Sequence, residues 1–230
     1  MPLYAAVLDA TAVGQGTRLL DLGCGAGLFA RAAADRGARV TGIDVDPAAV
    51  AFAAAEVPEG EFAVRPAEDP PAGPFDVVAA VQLLMHVADP AAVLAAAARS
   101  GALVAATVWG REKECDVRIF RTALAPWLEQ PPPPPGPAIT EPARLLAVAE
   151  RAGLVVERLD EVVCPFDYAD EDELLGPVFE SGLGRAAGRR AGPVALRSAV
   201  LAQAEPFRMG EGYRLQNVFR VLVARPAGTA

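Results

Sequence analysis

Apolar and polar positions follow two regimes along the chain. In the first, short apolar runs alternate with alanine-rich stretches of helical length. A short apolar helix is expected over 3–11, ended by Gly14 and Gly16. Strands are then predicted over 18–22, 39–43, 61–65, 75–81 and 103–108. Helices are predicted over 28–36, from Pro47 onward and over 90–99. The run 75–81 is continuously apolar, as a central parallel strand covered on both faces should be. Asp46-Pro47 and Asp89-Pro90 each place an N-cap acceptor before a proline in the first turn. Strand–helix alternation of this kind implies a parallel sheet with right-handed crossovers.

The second regime begins near residue 110. Residues 110–140 read as irregular and contain the proline run 131–135, expected to be a stiff polyproline spacer. A helix over 142–151 stops at Gly153, and a strand follows over 154–163. Residues 165–212 read as helical or irregular and glycine-rich, lying over the sheet edge. Within them, Ser181-Gly182-Leu183-Gly184-Arg185 follows no strand, so it reads as a mobile lid turn and not as a phosphate loop. A last strand is predicted over 214–225. One domain over 1–230 results, with 110–140 and 165–212 as lid or substrate segments.

Composition narrows the classes. Hydrophobic residues make up 53% of 230, enough for a full core, although much of the excess is alanine. No stretch reaches the ~18–20 uninterrupted apolar residues of a membrane span. Met1-Pro2-Leu3-Tyr4 has no basic region and Asp9 interrupts the apolar run, so no secretory leader and a cytoplasmic location are expected. The net charge of −8 argues against nucleic acid and anionic membrane as partners. Three scattered cysteines and a single histidine read as reduced thiols and leave little for a zinc site, so no metal is expected.

The strongest chemical signal is Leu19-Leu20-Asp21-Leu22-Gly23-Cys24-Gly25-Ala26-Gly27-Leu28. A strand runs into three glycines and then a helix, which lets a ligand approach the backbone and meet unpaired N–H groups. A dinucleotide loop wants Gly-x-Gly-x-x-Gly, and here the third glycine comes one place early. Asp21 would repel a pyrophosphate but suits an ammonium group. Asp44 lies 23 positions after Asp21 at the end of the second strand, where a carboxylate accepts both hydroxyls of a ribose. Val45 follows and would cover one face of an adenine. The pair specifies an adenosine with an amino-bearing tail.

These residues, with Gly42-Ile43-Asp44, Ala67-Glu68-Asp69, Phe75-Asp76-Val77-Val78 and His86-Val87-Ala88-Asp89-Pro90, resemble the class I S-adenosylmethionine-dependent methyltransferases, in their bacterial small-molecule branch. The resemblance covers roughly residues 15–110 well and the end of the chain more loosely. It implies a Rossmann-like seven-stranded sheet in the order 3-2-1-4-5-7-6, strand 7 antiparallel, with helices on both faces. It implies S-adenosylmethionine as cofactor, held by Asp21, Gly23, Cys24, Gly25, Gly27, Asp44, Val45, Ala67 and Glu68, with Val81 and Gln82 at the end of the fourth strand. The family often has an aspartate before the Ala67 position, contacting the adenine amino group. Pro66 stands there instead, and Glu68 is the substitute.

The acceptor side is less determined. His86 follows the central strand near the ligand-binding edge of a parallel sheet and reads either as a general base or as a residue bonding locally in a first helical turn. Trp109 and Arg111 follow the fifth strand and are the expected acceptor-pocket residues, while Glu114 and Cys115 read as loop or packing residues. The reading is methyl transfer to a small-molecule acceptor, compatible with a homodimer. Its rivals are a cofactor-binding relative that has become a cyclase or decarboxylase, and a non-catalytic scaffold subunit.

Overall fold

The computed structural model describes residues 1–129 and 137–228. The proline run 131–135 lies outside them. The strands are β1 (Arg18–Leu22), β2 (Arg39–Asp44), β3 (Glu61–Val64), β4 (Phe75–Val81), β5 (Gly101–Trp109), β6 (Leu154–Tyr168), β7 (Arg208–Met209) and β8 (Gly212–Pro226). The α-helices are α1 (Pro2–Ala10), α2 (Leu28–Ala34), α3 (Pro47–Glu56), α4 (Pro90–Ser100), α5 (Arg118–Leu124), α6 (Pro142–Arg151), α7 (Glu171–Glu180), α8 (Gly182–Ala191) and α9 (Pro193–Ala204).

The sheet runs β3-β2-β1-β4-β5-β8-β6, with β7 paired to β8 off that path. Neighbours from β3 to β5 are parallel, and β8 runs antiparallel to β5 with Val104 opposite Ala224 and Trp109 opposite Phe219. This is the expected 3-2-1-4-5-7-6 order. The two-residue β7, which has too few positions to show a periodicity, makes the antiparallel strand the eighth in sequence.

Right-handed crossovers place α2 and α3 on one face, because the chain moves outward from β1 to β3. The chain then returns to β4 and moves the other way to β5, so α4 lies on the opposite face. Both expected caps form. Asp46 accepts from the Ala48 N–H at 2.9 Å, and Asp89 accepts from the Ala91 N–H at 3.0 Å, each worth about 1 kcal/mol to its helix.

The chain divides into two compact units. The first takes in Met1–Trp109, Pro137–Val162 and the chain from Phe219. Its core joins Leu20, Leu22, Ile43, Val78 and Val104 of the sheet to Leu94 of α4 and Leu145 and Val148 of α6. Each such side chain, fully buried, contributes about 1.5–3 kcal/mol. The second takes in the chain from Gly110 and Val163–Val218. One of its clusters gathers Leu124, Leu175, Val178, Leu196 and Val200 from α5, α7 and α9, with Ala187 of α8. Another gathers Ile119, Leu174, Tyr213 and Leu215. The Arg208 guanidinium lies 4.9 Å over the Tyr213 ring and donates to its hydroxyl at 2.6 Å.

Three expectations are corrected here. The segment 181–185 is not a turn: Ser181 caps α8, accepting from the Gly184 N–H at 2.9 Å. Gly184 is there for closeness, since a Cβ would collide with the Val178 carbonyl of α7. Residues 110–129 are not irregular throughout, because α5 forms between two 3₁₀ turns, Glu112–Glu114 and Ala125–Trp127. β6 continues to Tyr168 instead of stopping at 163.

Candidate functional site

Strand order reverses between β1 and β4, and a crevice at the carboxyl ends of the strands is the general ligand site of such a sheet. The loop after β1 carries the glycines. Its Gly23 and Cys24 N–H groups both donate to the Ile43 carbonyl, at 2.8 and 3.0 Å, which hooks the loop onto β2. Gly25 has φ +52°, and a Cβ built there would meet no protein atom within 4 Å. The position therefore needs glycine for its backbone and faces open space. Gly27 has φ +85°, and a Cβ would lie 2.8 Å from the Ala53 Cα, so glycine there lets α2 and α3 approach.

Asp44 ends β2 and does two structural jobs. Its Oδ2 accepts from the Gly25 N–H at 3.0 Å and its Oδ1 accepts from the Asp46 N–H at 3.0 Å. A carboxylate has about four acceptor positions, so each oxygen keeps a lone pair for a ligand while its direction is fixed. Asp21, on β1, is buried, and its Oδ2 has no hydrogen-bond partner. Burial, and after it the nearby Asp44 charge, push its pKa up to about 8. A buried carboxyl with an unpaired oxygen is costly, and a cationic ligand group relieves that cost. Cys24 is also buried, and burial pushes its thiol up to about 12, so it stays neutral.

A groove of about 440 Å³ opens beside these residues. It falls in the ~300–1,000 Å³ range of small-ligand sites. Of the sequence-predicted residues it brings together Gly23, Asp44, Val45, Ala67, Glu68, Gln82 and His86. Val45 is 68% exposed. Arg65, Leu83 and Val87 also line the groove and were not singled out. Arg65 was legible, being the residue after β3 at the same edge as Asp44, to whose carbonyl its N–H donates at 2.9 Å.

Gln82 turns the chain at the end of β4 with φ +57°, a conformation that non-glycine residues rarely adopt. It is pinned by Thr107 of β5, whose Oγ1 accepts from the Gln82 backbone N–H at 2.9 Å and its Nε2 at 3.0 Å. Its Oε1 is buried without a partner. Val81, opposite Thr107 in the β4–β5 register, ends the strand behind this turn. His86 lies in the loop before α4. Its N–H donates to the Leu83 carbonyl at 2.8 Å, and its side chain is exposed at the groove.

Asp21, Cys24, Gly25, Gly27 and Val81 stand behind or beside the groove rather than in its lining. Trp109 ends β5 with its ring 4.3 Å from that of Phe219, the residue opposite it on β8. Arg111 lies in the second unit, where its N–H and guanidinium donate to Glu114 at 2.7 and 3.0 Å. The groove of the first unit includes neither.

Sheet order and the glycine loop after β1 give a Rossmann-like methyltransferase fold. Residues 20–101 match the family model described as "Methyltransferase domain". The chain is 42% identical over 106 residues to a ubiquinone biosynthesis O-methyltransferase of Pseudomonas aeruginosa, covering 43% of this chain and 45% of that protein. The chain thus spans less than half the length of the curated relative it matches. The solved structure of a putative type II methyltransferase from Anaeromyxobacter dehalogenans superposes with TM-score 0.68 at 22% identity, covering 97% of this chain and 95% of that one. The [4+2]-cyclase SpnF superposes with TM-score 0.62 at 21% identity, covering 98% and 81%. At these identities the two structures establish the fold. Among the described residues, no helix is long and apolar enough to cross a membrane.

Proposed function

We propose that the protein binds S-adenosylmethionine in the first unit and transfers its methyl group to a small molecule. The observation that carries this reading is the pairing of Asp21 and Asp44 around the glycine loop. Asp21 offers an unpaired buried oxygen to an ammonium, and Asp44 offers two oriented oxygens to ribose hydroxyls. Val45 would cover the adenine face, and Glu68, in the place of the family's aspartate, would accept from the adenine amino group. When bound, the cofactor supplies an electrophilic sulfonium methyl.

Catalysis then rests on holding an acceptor in near-attack geometry with water kept out. We assign acceptor choice to the segments 110–140 and 165–212, with Trp109 and Arg111 at their start. His86 is the proposed proton acceptor where the nucleophile carries a proton. The match to a ubiquinone biosynthesis O-methyltransferase supports an oxygen nucleophile but extends over 43% of the chain and carries no particular acceptor to it.

The test is transfer of a labelled methyl group from S-adenosylmethionine to members of a metabolite library. Transfer that is lost in Asp44→Ala supports the reading. Tight cofactor binding without transfer to any acceptor would favour the cyclase-like rival.

A further inference from the structure

Helix α1 reads in the sequence as a short apolar helix, which leaves open whether it closes, with Tyr4 and Asp9, over the cofactor's methionine end. It buries Leu3, Val7 and Leu8. Tyr4 is different: it is half-buried, and its ring meets the edge of Phe29 at 5.7 Å between centroids with the planes at 67°. Phe29 follows Gly27 by two residues and is itself buried, so this contact fixes Tyr4 beside the glycine loop. Burial, and after it the charge of Asp21, raise the pKa of the phenol. Asp21 Oδ2 is a buried acceptor with no partner. Among the described residues the Tyr4 hydroxyl has no hydrogen-bond partner either.

An unspent acceptor and an unspent donor of this kind are not satisfied by each other in the structure. A ligand carrying a cation and an anion on the same carbon satisfies both. The ammonium donates to Asp21, and the carboxylate accepts from the phenol. That is the chemistry of an α-amino acid, and it is the end of the cofactor that the groove of Asp44, Val45 and Glu68 does not account for.

We propose that Tyr4 belongs to the cofactor site, its hydroxyl donating to the α-carboxylate of the amino-acid tail whose ammonium Asp21 receives. This rests on the S-adenosylmethionine reading. It makes α1 part of the binding site and not only a cover of the sheet.

The experiment is calorimetric titration with two ligands. S-adenosylhomocysteine carries the amino-acid tail. 5′-Methylthioadenosine shares the adenosine and thioether and lacks that tail. Tyr4→Phe keeps the ring against Phe29 and removes only the hydroxyl. We expect it to weaken S-adenosylhomocysteine roughly tenfold or more, the scale of one hydrogen bond to a charged group, and to leave 5′-methylthioadenosine within about twofold of the parent on the same scale. Asp44→Ala should weaken both ligands. If Tyr4→Phe leaves S-adenosylhomocysteine unchanged while Asp44→Ala weakens both, the Tyr4 assignment is wrong and the cofactor reading stands. If Tyr4→Phe weakens both ligands equally, Tyr4 serves only to hold α1, and the assignment is again wrong. A parent protein that binds neither ligand overturns both claims.

Discussion

The loop after β1 and the first turn of α8 are both glycine-rich, and they use glycine for different reasons. In the loop, Gly25 holds a left-handed backbone conformation at a place facing open space, next to two carboxylates. In the first turn of α8, Gly184 holds ordinary helical backbone, and its missing side chain lets α8 close on α7. One glycine leaves room for a ligand, and the other fills its room with protein. Glycine spacing alone does not separate the two cases. What separates them is the company: Asp21 and Asp44 beside the first, a serine cap and a helix neighbour beside the second.

The largest effect that tests this contrast is at Gly25. Gly25→Val places a β-branched residue at φ +52° and projects it into open space beside the groove. Loss of S-adenosylhomocysteine affinity by about a hundredfold or more, ~3 kcal/mol, is expected in calorimetry, with some loss of stability from strain of about 1–2 kcal/mol. Unchanged affinity would remove the loop from the site.

Asp21→Asn should separate stability from binding. The folded-state pKa of Asp21 lies at about 8 against 3.8 as a free side chain. Between those values the folded protein holds a proton that the unfolded chain releases, so parent stability falls as pH rises from about 4 to about 8. Asparagine cannot ionise. Its melting temperature relative to the parent should therefore climb from pH 5 to pH 9, while S-adenosylhomocysteine affinity drops. In the parent, affinity should improve from pH 6 to pH 8 as the carboxylate forms. A melting-temperature difference that is flat with pH would contradict the buried-acid account.

His86→Ala comes next. As a general base it should lower kcat by about 10²–10⁴-fold with cofactor affinity kept. As a residue that only shapes the groove, it should leave the pH profile with the parent's form. The smallest effect belongs to the second glycine segment. Ser181→Ala removes the α8 cap and should cost about 1 kcal/mol in chemical denaturation. It should leave S-adenosylhomocysteine affinity untouched, as expected of a packing device.

The same contrast explains what was legible in the sequence. The strands β1, β2 and β4, the caps at Asp46 and Asp89, and the Asp21 and Asp44 pair are written locally, in apolar runs, cap residues and fixed spacing. Strand order came with the resemblance to the methyltransferase family, since crossover handedness alone does not set it. The two-residue β7 is too short to show a periodicity, and the extension of β6 to Tyr168 depends on pairing with the distant β8. The helix at 182 depends on Ser181 and on the contact of Gly184 with α7, both invisible to a reading that treats a glycine cluster as a break. In the site, Leu83 was missed because its groove position comes from turn geometry, whereas Arg65 was legible as the residue after β3. The left-handed Gln82 is similar: Thr107, 25 residues away, is what holds it. Trp109 was readable as a residue after β5. Its packing on Phe219 depended on the antiparallel β8.

The central claim is that Asp21, Asp44 and the glycine loop hold an adenosine with an amino-acid tail. Its most direct test is calorimetric titration of S-adenosylhomocysteine into the parent protein and into Asp44→Ala at pH 8. Saturable binding at one site per chain, weakened in the variant by about 1.5–3 kcal/mol, is the predicted result. No saturable binding to the parent, or equal affinity in the variant, would contradict it.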